Sequence, residues 1–155
     1  MKTFEELKED LLERAKKHHA CQDGYRMGLN AKSKKDLLEA ITSNWFWVFR
    51  TSKMIDANYL EDNFSEEELA EAGIYTRKEH TSNAKSFACG SATVKAYGSA
   101  TVEAYDSATV KAYDNSYVED CTGNINTVSD HGIVKDYYNH KIYIKKGKFE
   151  IIEIE

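Results

Sequence analysis

Between Ser91 and Asp114 one octapeptide is written three times, as SATVKAYG, SATVEAYD and SATVKAYD. Looser copies flank it: Asn83–Gly90 before it, then Asn115–Thr122, Gly123–Asp130 and His131–Tyr138 after it. The seven octads follow one another without an insertion. A short fixed period leaves a chain few ways to bury its apolar side. Each unit has to stack on the last, which makes a solenoid.

Within an octad, small apolar residues alternate with polar ones. Alternation at period two is the signal of a strand. Lys95, Glu103 and Lys111 cannot sit unpaired in a core, so their register faces water. Thr93, Lys95 and Tyr97 therefore point outward, while Ala92, Val94 and Ala96 point inward. Gly98-Ser99, Asp106-Ser107 and Asp114-Asn115 supply the turns. The even period brings each strand back in the same phase.

The size of the inward residues selects the cross-section. A three-sided coil would enclose a hollow that Ala and Val cannot fill, and voids are costly. A flattened, two-sided coil of sixteen residues fits them. Charge opposes this choice mildly, because it stacks Lys95 on Lys111 and Glu103 on Glu119 at about 4.8 Å per rung. Exposed charge pairs contribute only about 0–1 kcal/mol, so core filling decides. The two faces then differ. One carries Lys95, Lys111 and Thr127 with Tyr97 and Tyr113. The other carries Glu103 and Glu119 with Cys89, Tyr105 and Cys121. Rows of outward tyrosine offer apolar area with a polar tip, which suits either a contact surface or mutual stacking within the sheet.

The segment before the repeats is helical. Thr3 and Glu6 form a capping box, and Phe4, Leu7, Leu11, Leu12 and Ala15 give one apolar stripe. Gln22-Asp23-Gly24 reads as a break, and Tyr25–Asn30 has no clear assignment. Ser33 with Asp36 opens a second helix. Asn44–Phe49 is the most apolar stretch and is read as helix because its neighbours are. Ile55–Leu60 is another short helix. Ser65 with Glu68 is a second capping box, and Gly73 is a stop. Ile74–Ser82 reads as a link. Lys141–Lys145 and Phe149–Ile154 alternate around Lys146-Gly147, as the two arms of a hairpin would. The fold class expected is α+β. A small helical bundle over residues 1–80 precedes a two-sided parallel β-solenoid over 81–138, and a strand or hairpin cap over 139–155 closes it. The helical part is expected to shield one open end.

The chain has 155 residues, 21 basic and 26 acidic, for a net charge of −5. Neither half is basic: 13 basic residues meet 16 acidic ones up to position 80, and 8 meet 10 beyond it. That argues against direct nucleic-acid binding. No apolar run is long enough to span a bilayer, and the charged opening MKTFEELKEDLLER lacks a signal core. A cytoplasmic location is expected, with no membrane partner. Three cysteines fit a reducing compartment. Cys89 and Cys121 lie two coils apart, about 9.6 Å by strand spacing, too far for a bridge.

Chemistry is hard to find. His18, His19 and Cys21 are the only close group of metal-type ligands, and the paired spacing of a structural zinc site is missing. Asp130 and His131 are adjacent, so in a strand they face opposite ways. Nucleotide and hydrolase fingerprints are absent, and so are the glycines of the calcium-binding nonapeptide roll. The column Thr93, Thr101 and Thr109 suggests an ice-binding face, but each Thr neighbours Lys or Glu. A helix-turn-helix at Lys32, Lys34 and Lys35 lacks a following helix rich in Arg, Asn or Gln. No enzyme activity and no cofactor is expected.

GSATVKAYGSATVEAYD, over Gly90–Asp106, resembles the octads of small proteins from gut bacteria and their phages or prophages. Upstream, Tyr59-Leu60, Asn63-Phe64, Glu66-Glu67-Glu68-Leu69 and Ala72-Gly73-Ile74-Tyr75 are similar to the lead-in of those proteins. KIYIKKGKFEIIEIE is similar to their usual ending. The resemblance covers roughly residues 56–155. It implies a solenoid after a helical domain and carries over no catalytic motif. Its link to mobile elements implies a non-enzymatic inhibitor that occupies a surface of a bacterial defence complex, as anti-CRISPR proteins do. The candidate contact residues are Lys95, Tyr97, Lys111 and Tyr113, then Tyr105, Glu103 and Glu119, with Trp45 and Trp47 in the helical part. The partner expected is a protein such as a CRISPR effector complex, and a homodimer is a further expectation. The alternatives are a self-assembling structural module and a solenoid that binds a small ligand or glycan.

Overall fold

The structure, a computed structural model, describes residues 1–124 and 127–155. Positions 125 and 126, inside the sixth octad, lie outside the described residues. The chain divides into two compact units, Met1–Ala72 and Gly73–Glu155.

The first unit is helical: α1 (Phe4–Lys17), α2 (Gln22–Asn30), α3 (Lys34–Ser43), a π-helical turn (Trp47–Thr51), α4 (Ala57–Asn63) and α5 (Glu66–Glu71). Thr3 and Ser65 cap their helices with full capping boxes, and the side chains of Ser33 and Asp56 accept from the third amide of α3 and α4. Each such cap contributes about 1 kcal/mol. The segment read as a break is helix α2, capped by the Cys21 sulfur, which accepts from the Gly24 amide at 3.4 Å. The centre of attraction is Asp10. Its carboxylate takes Lys2 Nζ at 2.7 Å, Arg14 Nε at 3.1 Å and the Tyr59 hydroxyl. Burial alone would push Asp10 up, but these donors hold it below its ordinary pKa. Burial and the Asp10 bond push the Tyr59 hydroxyl well up. This one carboxylate ties α1 to α4.

The second unit is a parallel solenoid of about four turns. Its strands are β1 (Ile74–Tyr75), β2 (Glu79–Ser82), β3 (Lys85–Ala88), β4 (Thr93–Ala96), β5 (Thr101–Ala104), β6 (Thr109–Ala112), β7 (Tyr117–Asp120), β8 (Thr127–Val128), β9 (Ile133–Asp136) and β10 (Lys141–Ile144). They form two sheets, β1-β3-β5-β7-β9-β10 and β2-β4-β6-β8. The coil is two-sided, as the small core residues require. Val94 pairs with Val110 and Val102 with Val118, sixteen residues apart. The core is a column of Ala and Val, including Val94, Val102, Val110, Val118 and Val134, all fully buried. Gly132 is required by the same thinness. A Cβ there would stand 2.9 Å from the Ala112 carbonyl oxygen.

The turns repeat too. Gly90, Gly98, Asp106, Asp114 and Asp130, at the eighth octad position, all have φ between 51° and 59°. Glycine reaches that region freely, and Asp tolerates it better than most residues. Asp also adds a bond that glycine cannot. The Asp106 carboxylate accepts from the Gly90 amide at 3.1 Å, and Asp114 from Gly98 at 2.8 Å, one coil back.

Two expectations change at the ends. Ile74–Ser82 is not a link: it supplies β1 and β2, and Tyr75 stacks on His80 at 4.3 Å. The C-terminal hairpin forms one strand early, with β10 antiparallel to β9, and Phe149–Ile154 pairs in no strand.

Val102→Asp should abolish the cooperative unfolding transition seen by circular dichroism, because the core has no room and no partner for a carboxylate. A soluble, folded Val102→Asp protein would overturn the inward assignment. At a left-handed turn, Asp114→Ala should cost about 1–2 kcal/mol in urea unfolding, and Asp114→Gly less, because alanine adds backbone strain to the lost bond. The reverse order would show that the turn does not depend on the left-handed residue.

Candidate functional site

Sheet β2-β4-β6-β8 turns its outward side chains into a short ladder. Lys95 lies in register with Lys111, and Lys111 with Thr127. One position past each strand, the rings of Tyr97 and Tyr113 stack at 4.7 Å and 7° between planes. Tyr97 is exposed and Tyr113 half-buried. The lysines do not repel freely, because Glu79 reaches across from β2. Its carboxylate holds Lys95 Nζ at 2.6 Å and Lys111 Nζ at 3.8 Å. The hydrogen bond from Lys95 lowers the Glu79 pKa, and the same bond raises that of Lys95. The patch keeps one positive charge in excess, beside two parallel aromatic rings. A stacked ring pair with adjacent cations is ordered in advance, so these side chains keep little freedom to lose in any contact.

The opposite sheet is organised differently. Glu103 lies in register with Glu119, and Glu119 with Lys135. Glu119 receives the hydroxyls of Tyr117 and Tyr137, each at 3.5 Å, which is weak geometry. Glu103 takes the Tyr105 hydroxyl at 3.4 Å and lies 3.9 Å from Lys85 Nζ. Burial pushes the Glu103 carboxyl above its ordinary pKa, against the pull of Lys85, and Glu119 adds to the rise. Tyr105, expected outward as an anchor, is only 5% exposed. Burial pushes its hydroxyl pKa well up.

Trp45 and Trp47 part company. Trp45 is a core residue, 2% exposed and stacked on Phe49 at 4.0 Å, so it cannot anchor a partner at the surface. Trp47 is half-buried and lines a half-open cavity of about 320 Å³ within the helical unit, with Leu11, Leu12, Leu37, Ile41 and Val48. No carboxylate, ammonium or guanidinium lines it. π-helical turns such as the one that carries Trp47 occur often at functional sites.

The sequence reading also missed a buried acidic pair. Asp120 and Asp136 take the sixth octad position, where the inward residue is otherwise mostly Ala. They are in register and almost fully buried. Asp120 accepts from the amide and hydroxyl of Thr122. Asp136 accepts from the amides of Tyr138 and Asn139 and from the Asn139 side chain, at 2.8–2.9 Å. Burial would raise the Asp136 pKa, but these donors hold it low. The signal was present as a break in the repeat. Both carboxylates hold the following turn.

Among the described residues no group of three or more His, Cys, Asp or Glu side chains is placed to hold a metal ion. Cys21, Cys89 and Cys121 form no disulfide with one another. No described helix is long and apolar enough to cross a membrane. Compared with known proteins, the chain matches no family model, no curated protein and no solved structure.

Glu103 gives the face a pH signature. Its folded pKa lies above the unfolded value, so the fold takes up a proton between the two. Its destabilising effect is therefore complete above the folded pKa and fades as pH falls through it to the unfolded one. Glu103→Gln should raise the melting temperature at about pH 7.5, with the gain gone by about pH 4. An equal difference at both pH values, or a lower melting temperature at the higher one, would show that the buried charge is compensated.

Proposed function

We propose that the chain is a non-enzymatic interaction protein that works by covering a surface of a bacterial defence complex. The resemblance of its octads to proteins of gut bacteria and their phages points to a mobile element as the source and to a CRISPR effector complex as the partner. The observation that carries the reading is the Lys95/Lys111 pair beside the stacked Tyr97–Tyr113 rings. Stacking and the bridge to Glu79 order four long side chains before any partner arrives. Hot spots at protein interfaces favour tyrosine in such pre-packed settings. The Glu103/Glu119 face is the weaker candidate, because its charges are turned toward its own tyrosines and lysines. A surface with one excess positive charge fits an acidic or nucleic-acid-mimicking patch on a protein better than nucleic acid itself, since the chain as a whole is acidic.

The test is a tagged pull-down from a gut-bacterial host lysate, with and without nuclease, read by mass spectrometry. Wild-type protein should retain one defence complex, with nuclease making no difference. Tyr97→Ala/Tyr113→Ala and Lys95→Glu/Lys111→Glu should each lower its recovery by about tenfold or more, with the circular dichroism spectrum unchanged. Recovery of the complex by all variants alike would move the site off this face. Recovery of no defence complex by the wild type would overturn the reading.

A further inference from the structure

We propose that the β10 end of the solenoid is a self-association surface, where residues 149–155 of one copy pair along β10 of a second copy, and reciprocally. The inference stands apart from the partner proposed above.

β10 is the last strand of its sheet and pairs on one side only, with β9. Its other edge presents a row of backbone N–H and C=O groups, a template for a further strand. The sequence contains a candidate for that strand, FEIIEIE at Phe149–Glu155, but the chain does not use it on itself. After the turn at Lys145–Lys148, closed by a 3.2 Å bond from the Lys148 amide to the Lys145 carbonyl, Phe149 packs edge-on against His131 at 5.5 Å. His131 lies in the turn before β9, so the chain leaves β10 instead of returning along it.

Both partners of the missing pairing are apolar and bare. Ile142 is 57% exposed on β10, and Ile151, Ile152 and Ile154 are 69%, 75% and 90% exposed. Few soluble chains leave so many large aliphatic side chains together in water. Their charges are also complementary. Lys145, Lys146 and Lys148 follow β10, while the tail carries Glu150, Glu153 and Glu155. Among the described residues no ion pair joins the two sets. A basic edge and an acidic strand on one chain complement each other across a twofold axis, since each copy offers both halves. That makes a second copy the occupant these residues favour over an unrelated protein.

The experiment is sedimentation velocity of the full chain across the micromolar range. The wild type should sediment as a dimer whose dissociation constant rises with salt. Lys145→Glu/Lys146→Glu/Lys148→Glu and Glu150→Lys/Glu153→Lys/Glu155→Lys should each weaken self-association by about tenfold or more. Mixed together, the two variants should restore a dimer, because each then meets the opposite charge. Lys141, in register with the buried Asp136, is left unchanged so that the fold is kept. A wild type that is monomeric throughout would overturn the proposal. So would a dimer that neither variant weakens, or a mixture that fails to associate.

Discussion

The solenoid rests on the thinness of its core. Alanine and valine fill the space between two sheets only if the sheets lie close, and close sheets allow just two sides per coil. Two sides and an octad give sixteen residues per turn, and that number fixes every vertical neighbour in the repeat. Val94 sits on Val110 and Val102 on Val118 because of it. The same number puts Lys95 on Lys111 and Glu103 on Glu119, which no electrostatic argument would choose. Packing prevails because a void in the core costs several kcal/mol, while a pair of exposed like charges costs a fraction of one.

Like-on-like stacking has opposite consequences for different residue types. For valine and tyrosine it is favourable, and it yields the 4.7 Å stack of Tyr97 on Tyr113. For lysine and glutamate it needs relief, which comes from the imperfect ends of the array. Glu79, on a strand outside the recognisable repeats, bridges Lys95 and Lys111. Lys135, in the last octad, lies in register with Glu119. Glu103, in the middle, has Lys85 at 3.9 Å and the Tyr105 hydroxyl, and its carboxyl pKa is raised mainly by burial, with Glu119 adding to the rise. Charges stacked by the period are therefore met by residues from the strand before the repeats and from the looser octads.

The fold was largely legible where one physical rule dominated. Residue size gave the cross-section, alternation gave the inward set, and Ser/Thr caps gave most of the helices. It was less legible where local signals competed. Gln22-Asp23-Gly24 made the start of α2 look like a break, and its cap is a cysteine sulfur that propensity rules do not anticipate. β1 and β2 were hidden because their partners lie thirteen and fourteen residues on, at Ile74 with Phe87 and Glu79 with Thr93, out of step with the period of sixteen. Of the candidate site, the Lys/Tyr ladder followed from register alone. Trp45 and Tyr105 did not: both are aromatic residues whose burial depends on packing that no periodicity encodes.

A parallel solenoid also has to stop. Each coil offers the next a complete ladder, so a chain that merely ends leaves two open strands. Here the stop comes after Asp136. Asp120 and Asp136 both bring carboxylates inside and bond the turn that follows, but after Asp120 the coil continues to β9, parallel to β7. After Asp136 that turn reverses the chain, and β10 runs antiparallel to β9. An antiparallel strand cannot template another sixteen-residue coil in the same direction, so growth by parallel stacking ends there. On that sheet it leaves β10 as an edge strand, flanked by lysines and followed by an acidic, aliphatic segment. An edge that accepts an antiparallel strand, with no parallel coil to repeat, suits pairing with one further strand better than endless stacking along that sheet.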